Sequence, residues 1–192
     1  MRRIDIMVDL ETLGTNSNST VFQISAVSFN IKTGEKYDIF NKIIDITTIK
    51  DNKITGDTLK WWLETDKELL NKLINNKESI NNIEAWSSFY NWIVSQSVNK
   101  KDIYLWGNGI KFDNVMIDTQ MSMVGIKYPI FYRNDRDVRT IVDLACMKLN
   151  TNIENFKKLI PIVGEKHNAL DDCIYQIKLV NYCYDILMYN RR

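Results

Sequence analysis

Asp9 and Glu11 stand two positions apart in the run Ile6-Met7-Val8-Asp9-Leu10-Glu11. On an extended strand this spacing projects both carboxylates from one face. Two like charges so placed repel each other unless a proton or a cation intervenes. Hard oxygen ligands on a rigid strand are what Mg²⁺ or Mn²⁺ requires. An isolated Asp-x-Glu is usually a solvated strand end. Here the apolar lead-in points to a central strand whose C-terminal end carries the acids, where open α/β sheets commonly place their sites.

A third carboxylate, Asp113, follows Gly107-Asn108-Gly109 and falls in the first turn of an expected helix. It can favour the helix N-terminus electrostatically, or the strand–Gly-loop–helix arrangement can deliver it to the sheet edge that carries Asp9. Asn108 could hold a loop backbone or a substrate group. Gly107 and Gly109 do not suggest a dinucleotide fold, because the third glycine of that pattern is missing.

The chain has one histidine, His167, which opens His167-Asn168-Ala169-Leu170-Asp171-Asp172. Among side chains at their ordinary pKa values, histidine alone changes charge near neutral pH. A step that needs a neutral-pH base would therefore fall to His167, although a lone histidine is more often a satisfied structural residue. Asp172 lies near the start of the last helix, with Asp171 as its neighbour and competitor for a metal role. Either His167 or Asn168 can occupy the capping position.

The elements that must position these groups follow from periodicity. Residues 4–11 form a largely buried strand, a second strand runs over about 20–30, and Thr33-Gly34-Glu35 turns into a third near 36–45. Short Gly turns imply an antiparallel meander. Asp57 can cap a helix carrying Leu59, Trp62 and Leu63, and a second helix over about 66–75 carries Leu69, Leu70 and Leu73. Ile83, Trp86, Phe89, Tyr90 and Ile93 form a core stripe on a longer helix over about 79–96. A strand over 102–106, a helix over about 112–124, a short strand at Ile130-Phe131-Tyr132, and helices near 138–149 and 169–189 complete the pattern. The expected class is α/β, around a central mixed five-stranded sheet flanked by helices. The last helix should bring its motif back towards strand one.

A chain of 192 residues, 45% hydrophobic and 26% charged, fits a single domain with a sizeable core. The net charge is only +1, so no broad basic surface announces a polyanion; such a partner must be held by local charge or by metal ions. Cys146, Cys173 and Cys183 are too few and too scattered for a disulfide framework or a zinc site. The start, Met1-Arg2-Arg3-Ile4-Asp5, lacks the apolar stretch of a secretory signal, and no run is long enough to span a bilayer. No membrane partner and a cytoplasmic location are expected.

Three motifs together carry a resemblance. Asp9-Leu10-Glu11-Thr12, then Asn108-Gly109-Ile110-Lys111-Phe112-Asp113, then His167 with four residues before Asp172, resemble the DEDDh group of 3′–5′ exonucleases in the ribonuclease H-like superfamily. Trp61-Trp62, Trp106-Gly107-Asn108-Gly109 and the run Arg133 to Thr140 extend the likeness to phage and bacterial exonuclease VIII-like and exonuclease A-like proteins. The resemblance covers about residues 4 to 185 and departs at none of the five motif positions.

The resemblance implies a ribonuclease H-like fold and hydrolysis with two Mg²⁺ or Mn²⁺ ions, held ~3.5–4 Å apart by Asp9, Glu11, Asp113 and Asp172. His167 would take the proton of the attacking water, and nucleoside 5′-monophosphates would leave stepwise from the 3′ end. Thr12, Leu13 and the following glycine would meet the terminal nucleotide, with Leu13 on its base. Phe112 could do the same or serve the core. Arg139, in the Arg133–Arg139 cluster, could contact phosphate; salt bridges with Asp135 and Asp137 are the alternative. Lys157, Lys158 and Lys166 form a basic edge with modest steering value.

The expected partner is the 3′ end of single-stranded DNA or RNA, with DNA slightly preferred. Related exonucleases often form dimers, so a homodimer is compatible with the resemblance. The alternatives are an exoribonuclease of the same family, a non-catalytic nucleic-acid-binding module on the same fold, and a phosphatase or endonuclease of the superfamily. A module of that kind should have lost an acid or the histidine, and this chain has lost none. A phosphatase or endonuclease accounts less well for His167-x₄-Asp172.

Overall fold

Ile4, Ile6, Val8 and Leu10 face one side of the first strand, β1 (Ile4–Thr12), and Met7 faces the other, so both faces are covered. The computed structural model describes residues 3–162 and 164–189; Met1 and Arg2 of the N-terminal stretch considered above lie outside them. β1 pairs antiparallel with β2 (Val21–Phe29), which pairs antiparallel with β3 (Lys36–Ile43). The turn into β3 uses Gly34 in the left-handed region, at φ 71°, a conformation that glycine adopts without steric cost.

On its other side β1 pairs parallel with β4 (Ile103–Gly107), and β4 with β5 (Asp135–Asp137). The sheet order is β3-β2-β1-β4-β5, the mixed five-stranded sheet expected. β1 is its centre, so Asp9 and Glu11 sit at the end of its most enclosed strand.

The fifth strand is not Ile130–Tyr132 as the apolar pattern suggests. Ile130 instead plugs the core, and buried Asn134 donates from Nδ2 to the carbonyls of Lys101 and Ile103, tying the segment to β4. Pairing therefore begins at the polar Asp135-Arg136-Asp137 run.

Between β3 and β4 lie α1 (Gly56–Thr65), α2 (Lys67–Ile74) and α3 (Asn82–Ser95). Thr55, not Asp57, is the N-cap residue of α1, and Asp57 lies in its first turn. On α3 the stripe closes around Ala85, Trp86, Phe89 and Ile93, while Ile83 is 59% exposed and outside the buried face.

After β4 come α4 (Asp113–Met123), α5 (Val138–Leu149), α6 (Ile153–Lys158) and α7 (Ala169–Tyr189). The short α6 is an addition to the sequence reading; Asn152 caps it and Phe156 anchors it in the core. α3 and α4 cover one face of the sheet, and α5 with α7 cover the other. All three cysteines are free and buried. No helix among the described residues is long and apolar enough to cross a membrane.

Candidate active site

Strand alternation puts Asp9 and Glu11 on the Met7 side of β1, the side that α7 covers. Small residues let α7 approach closely. Ala169 and Cys173 are fully buried, and the Cys173 thiol lies 3.7 Å from the Met7 carbonyl and 3.4 Å from that of Ser25. Asp172 thereby reaches the strand acids: one carboxylate oxygen from each of Asp9, Glu11 and Asp172 lies within 4.8 Å of the others.

The loop before α7 settles which aspartate does this. Asn168 is the cap, since its carbonyl accepts from Asp172 N–H at 2.9 Å and its Oδ1 accepts from Leu170 N–H. Asp171 turns the other way and accepts from Glu165 N–H at 2.9 Å, its carboxylate filling the space a side chain at Gly164 would need, and Gly164 itself has a φ of 104°. Asp171 latches the loop, and Asp172 faces the site.

One turn beyond Asp172, Gln176 donates from Nε2 to Asp9 Oδ1 at 2.8 Å. Gln176 is 3% exposed, and its Oε1 has no hydrogen-bond partner among the described residues. Sequence reasoning missed this residue; its position four after Asp172 on a helix is the signal that could have found it.

Asp113, the first residue of α4, is buried beneath the Gly107–Gly109 turn. It lies outside the tight group of three oxygens, but its charge reaches both strand acids. Burial pushes its carboxyl up to about 7, opposed by the N–H groups of Asn108 and Asp113 itself and by nearby Arg139. The Asn108 backbone thus holds the acid, while its side chain faces the cavity beside Asp9.

Burial, and then the charges of Asp113 and Asp172, drive Asp9 well above the usual carboxylate range; the Gln176 bond opposes this. Glu11 is raised by burial and by Asp9, Asp172 and Asp113. Asp172 is raised by burial, against the pull of His167. Ion pairs among the described residues are Arg3–Asp5, Lys60–Glu64 and Lys72–Glu165, none of which neutralises these four acids. Buried oxygen donors that repel one another suit a divalent cation, so the residues present fit such ions.

A stability prediction follows from Asp113. Its raised pKa means that the metal-free fold is penalised as pH climbs from the ordinary carboxylate value through about 7. A shift of that size corresponds to a few kcal/mol, on the order of 1.4 per pH unit. In EDTA at pH 8, Asp113→Asn should raise the melting temperature by several degrees, and by much less at pH 5, where the folded protein keeps the proton. Thermal unfolding across that range checks this; a difference that does not grow with pH would contradict it.

His167 borders the same cavity as Asp9 and Asp172, and its backbone N–H bonds the Asp172 carboxylate. Its backbone is left-handed, at φ 64°. The imidazole stands edge-on to Trp61, with centroids 4.9 Å apart, and to Trp62 at 6.2 Å. Trp62 in turn donates from Nε1 to the Thr12 carbonyl at 3.0 Å, and Lys72 pairs with Glu165. The helical pair α1–α2 therefore braces the histidine loop against the end of β1.

The remaining expected contacts divide. Thr12, 6% exposed, donates from Oγ1 to the Gly14 carbonyl. Leu13 is 2% exposed among Phe22, Trp62 and Leu69, so its side chain supports α1 instead of offering a face to a base. Phe112 is half-buried and lines a 370 Å³ hollow with Glu11, Trp61 and Asp57.

Within the arginine cluster, Arg136 lies over the Tyr104 ring and Arg133 over Tyr132. The expected salt bridges with Asp135 and Asp137 are absent among the described residues. Asp135 accepts from Asn114 and Tyr128, and Asp137 caps α5. Only Arg139 of this cluster reaches the cavity beside Asp9, together with Lys157 and Lys166. Lys158 turns aside to Asn155.

A family model described as the 3′–5′ exoribonuclease Rv2179c-like domain matches residues 4–184. No curated protein sequence matches the chain. Its fold is similar to that of cell-death related nuclease 4, at 15% identity and a TM-score of 0.72, covering 95% of this chain and 64% of that one. A zinc-bound E. coli exonuclease I–single-stranded DNA complex matches at 11% and 0.69, covering 100% and 42%. The nuclease domain of 3′hExo, a DEDDh family member bound to rAMP, matches at 12% and 0.66, covering 96% and 92%. The chain thus spans less than two thirds of the first two of these proteins, and at these identities the likeness shows the fold alone.

Proposed function

Because the chain belongs to the Rv2179c-like 3′–5′ exoribonuclease domain family, we propose that it is a 3′–5′ exonuclease that frees nucleoside 5′-monophosphates stepwise from single-stranded ends. The observation that carries this is the convergence of Asp9, Glu11 and Asp172 within 4.8 Å beside His167. Asp9, Glu11, Asp172 and Asp113 would hold two Mg²⁺ or Mn²⁺ ions, whose charge stabilises the attacking and departing oxygens of an in-line displacement when bound.

The chain's own groups do the rest. Gln176 fixes the Asp9 carboxylate through its 2.8 Å bond. The His167 imidazole, braced by Trp61, accepts the proton of the attacking water at a ring nitrogen. The new bond joins that water oxygen to phosphorus, and the bond to the upstream 3′ oxygen breaks. The terminal nucleoside lies in the hollow of Trp61 and Phe112, where an aromatic face can stack on its base.

RNA is the first substrate reading, supported by the family's exoribonuclease description, and it replaces the slight DNA preference expected from the sequence. DNA is the second, supported by the single-stranded DNA held by the E. coli neighbour. With Mg²⁺ or Mn²⁺, 5′-labelled single-stranded RNA should shorten in one-nucleotide steps faster than single-stranded DNA or duplex DNA, and EDTA should stop it. No metal-dependent shortening of any substrate, or internal cuts in place of a ladder, would overturn the proposal.

A further inference from the structure

Two hollows flank the carboxylates, and their charges differ. The 370 Å³ hollow of Trp61 and Phe112 contains Glu11 and Asp57 and no lysine or arginine among its lining residues. The other, of 590 Å³, lies between α5, α6 and α7 and is rimmed by Arg139, Lys157 and Lys166. A scissile phosphate at the carboxylates has a nucleoside on each side. The one at the 3′ end carries no further phosphate; the other continues into a polyanion, and cations belong on that side.

We propose that the 590 Å³ cavity is a subsite for the nucleotide 5′ of the scissile bond, the residue that becomes the new 3′ end. This inference rests on the exonuclease reading above. The cavity lies in the usual range for a site holding a small ligand, roughly 300–1,000 Å³. Val138, Val142 and Leu179 back it from the core, nearly fully buried, and half-buried Tyr175 and exposed Ile153 offer the apolar surface. A base can rest on Tyr175 and Ile153 while its phosphate meets the cations at the rim.

The short α6 is built to serve this cavity. Phe156 anchors it in the core, while Ile153 and Lys157, four residues apart and so on one helix face, both border the hollow. Ile153 is 45% exposed, an apolar surface that a nucleotide would cover.

The p-nitrophenyl ester of uridine 5′-monophosphate separates the two sides, since it keeps the terminal ribonucleoside and phosphate but replaces the leaving strand with nitrophenolate. Lys157→Glu and Ile153→Asp, both at exposed positions, should each lower kcat/KM on oligonucleotides by about tenfold, mainly through KM, and Lys157→Glu should flatten the salt dependence. Both should hydrolyse the ester at the wild-type rate, with unchanged melting temperature. Equal losses on ester and oligonucleotide, or no loss on oligonucleotides, would overturn the subsite. A wild-type protein that cleaves neither substrate would overturn the exonuclease reading itself, and the subsite with it.

Discussion

Asp9→Ala should abolish 3′ shortening, with kcat falling by at least about 10³-fold, the upper range for loss of one electrostatic stabiliser. Asp9 occupies the middle of the site: its carboxylate is shared between the group with Glu11 and Asp172 and the bond from Gln176, and it feels the charge of Asp113. Removing it takes away a cation ligand and leaves the buried Gln176 amide without an acceptor. The fold should survive, because the variant relieves repulsion among the neighbouring acids. Product ladders with matched circular dichroism spectra check this. A folded variant with wild-type turnover would remove Asp9 from the reaction.

His167→Ala should leave cation binding intact while kcat falls by about 10²–10⁴-fold, the range for a positioned general base. Calorimetric titration with Mn²⁺ reports the first quantity and single-turnover hydrolysis the second. The left-handed backbone at His167 adds a second, smaller effect, since alanine is rarer than histidine in that conformation. Asparagine tolerates that conformation, so His167→Asn isolates the loss of the base from the backbone effect. Near wild-type turnover in His167→Asn would show that the proton goes elsewhere.

Much of this site was legible in the sequence because strand and helix periods fix directions. The two-residue spacing of Asp9 and Glu11 put them on one face, and the apolar run before them put that face in the interior. Two features were hidden for different reasons. Which of Asp171 and Asp172 enters the site depends on a loop with left-handed residues at Gly164 and His167, and periodicity says nothing there. β5 was misplaced because its three polar residues pair through the grip of Asn134 on β4, a long-range effect that outweighs strand propensity. Gln176 was legible only through its place one turn beyond Asp172, and the contact with Asp9 that gives it a role required α7 to be docked on β1.

The two outer strands of the sheet have a consequence for how copies of this chain meet. β5 offers three residues, too few to template a partner, and β3 carries Lys36, Asp38 and Lys42 on exposed positions. Its pairing with β2 also slips between Val27 and Phe29, so its rim is kinked as well as charged. Edges of this kind discourage the strand-on-strand stacking that leads to cross-β aggregates. A sheet with so buried and apolar a centre is thereby kept from growing beyond its own five strands.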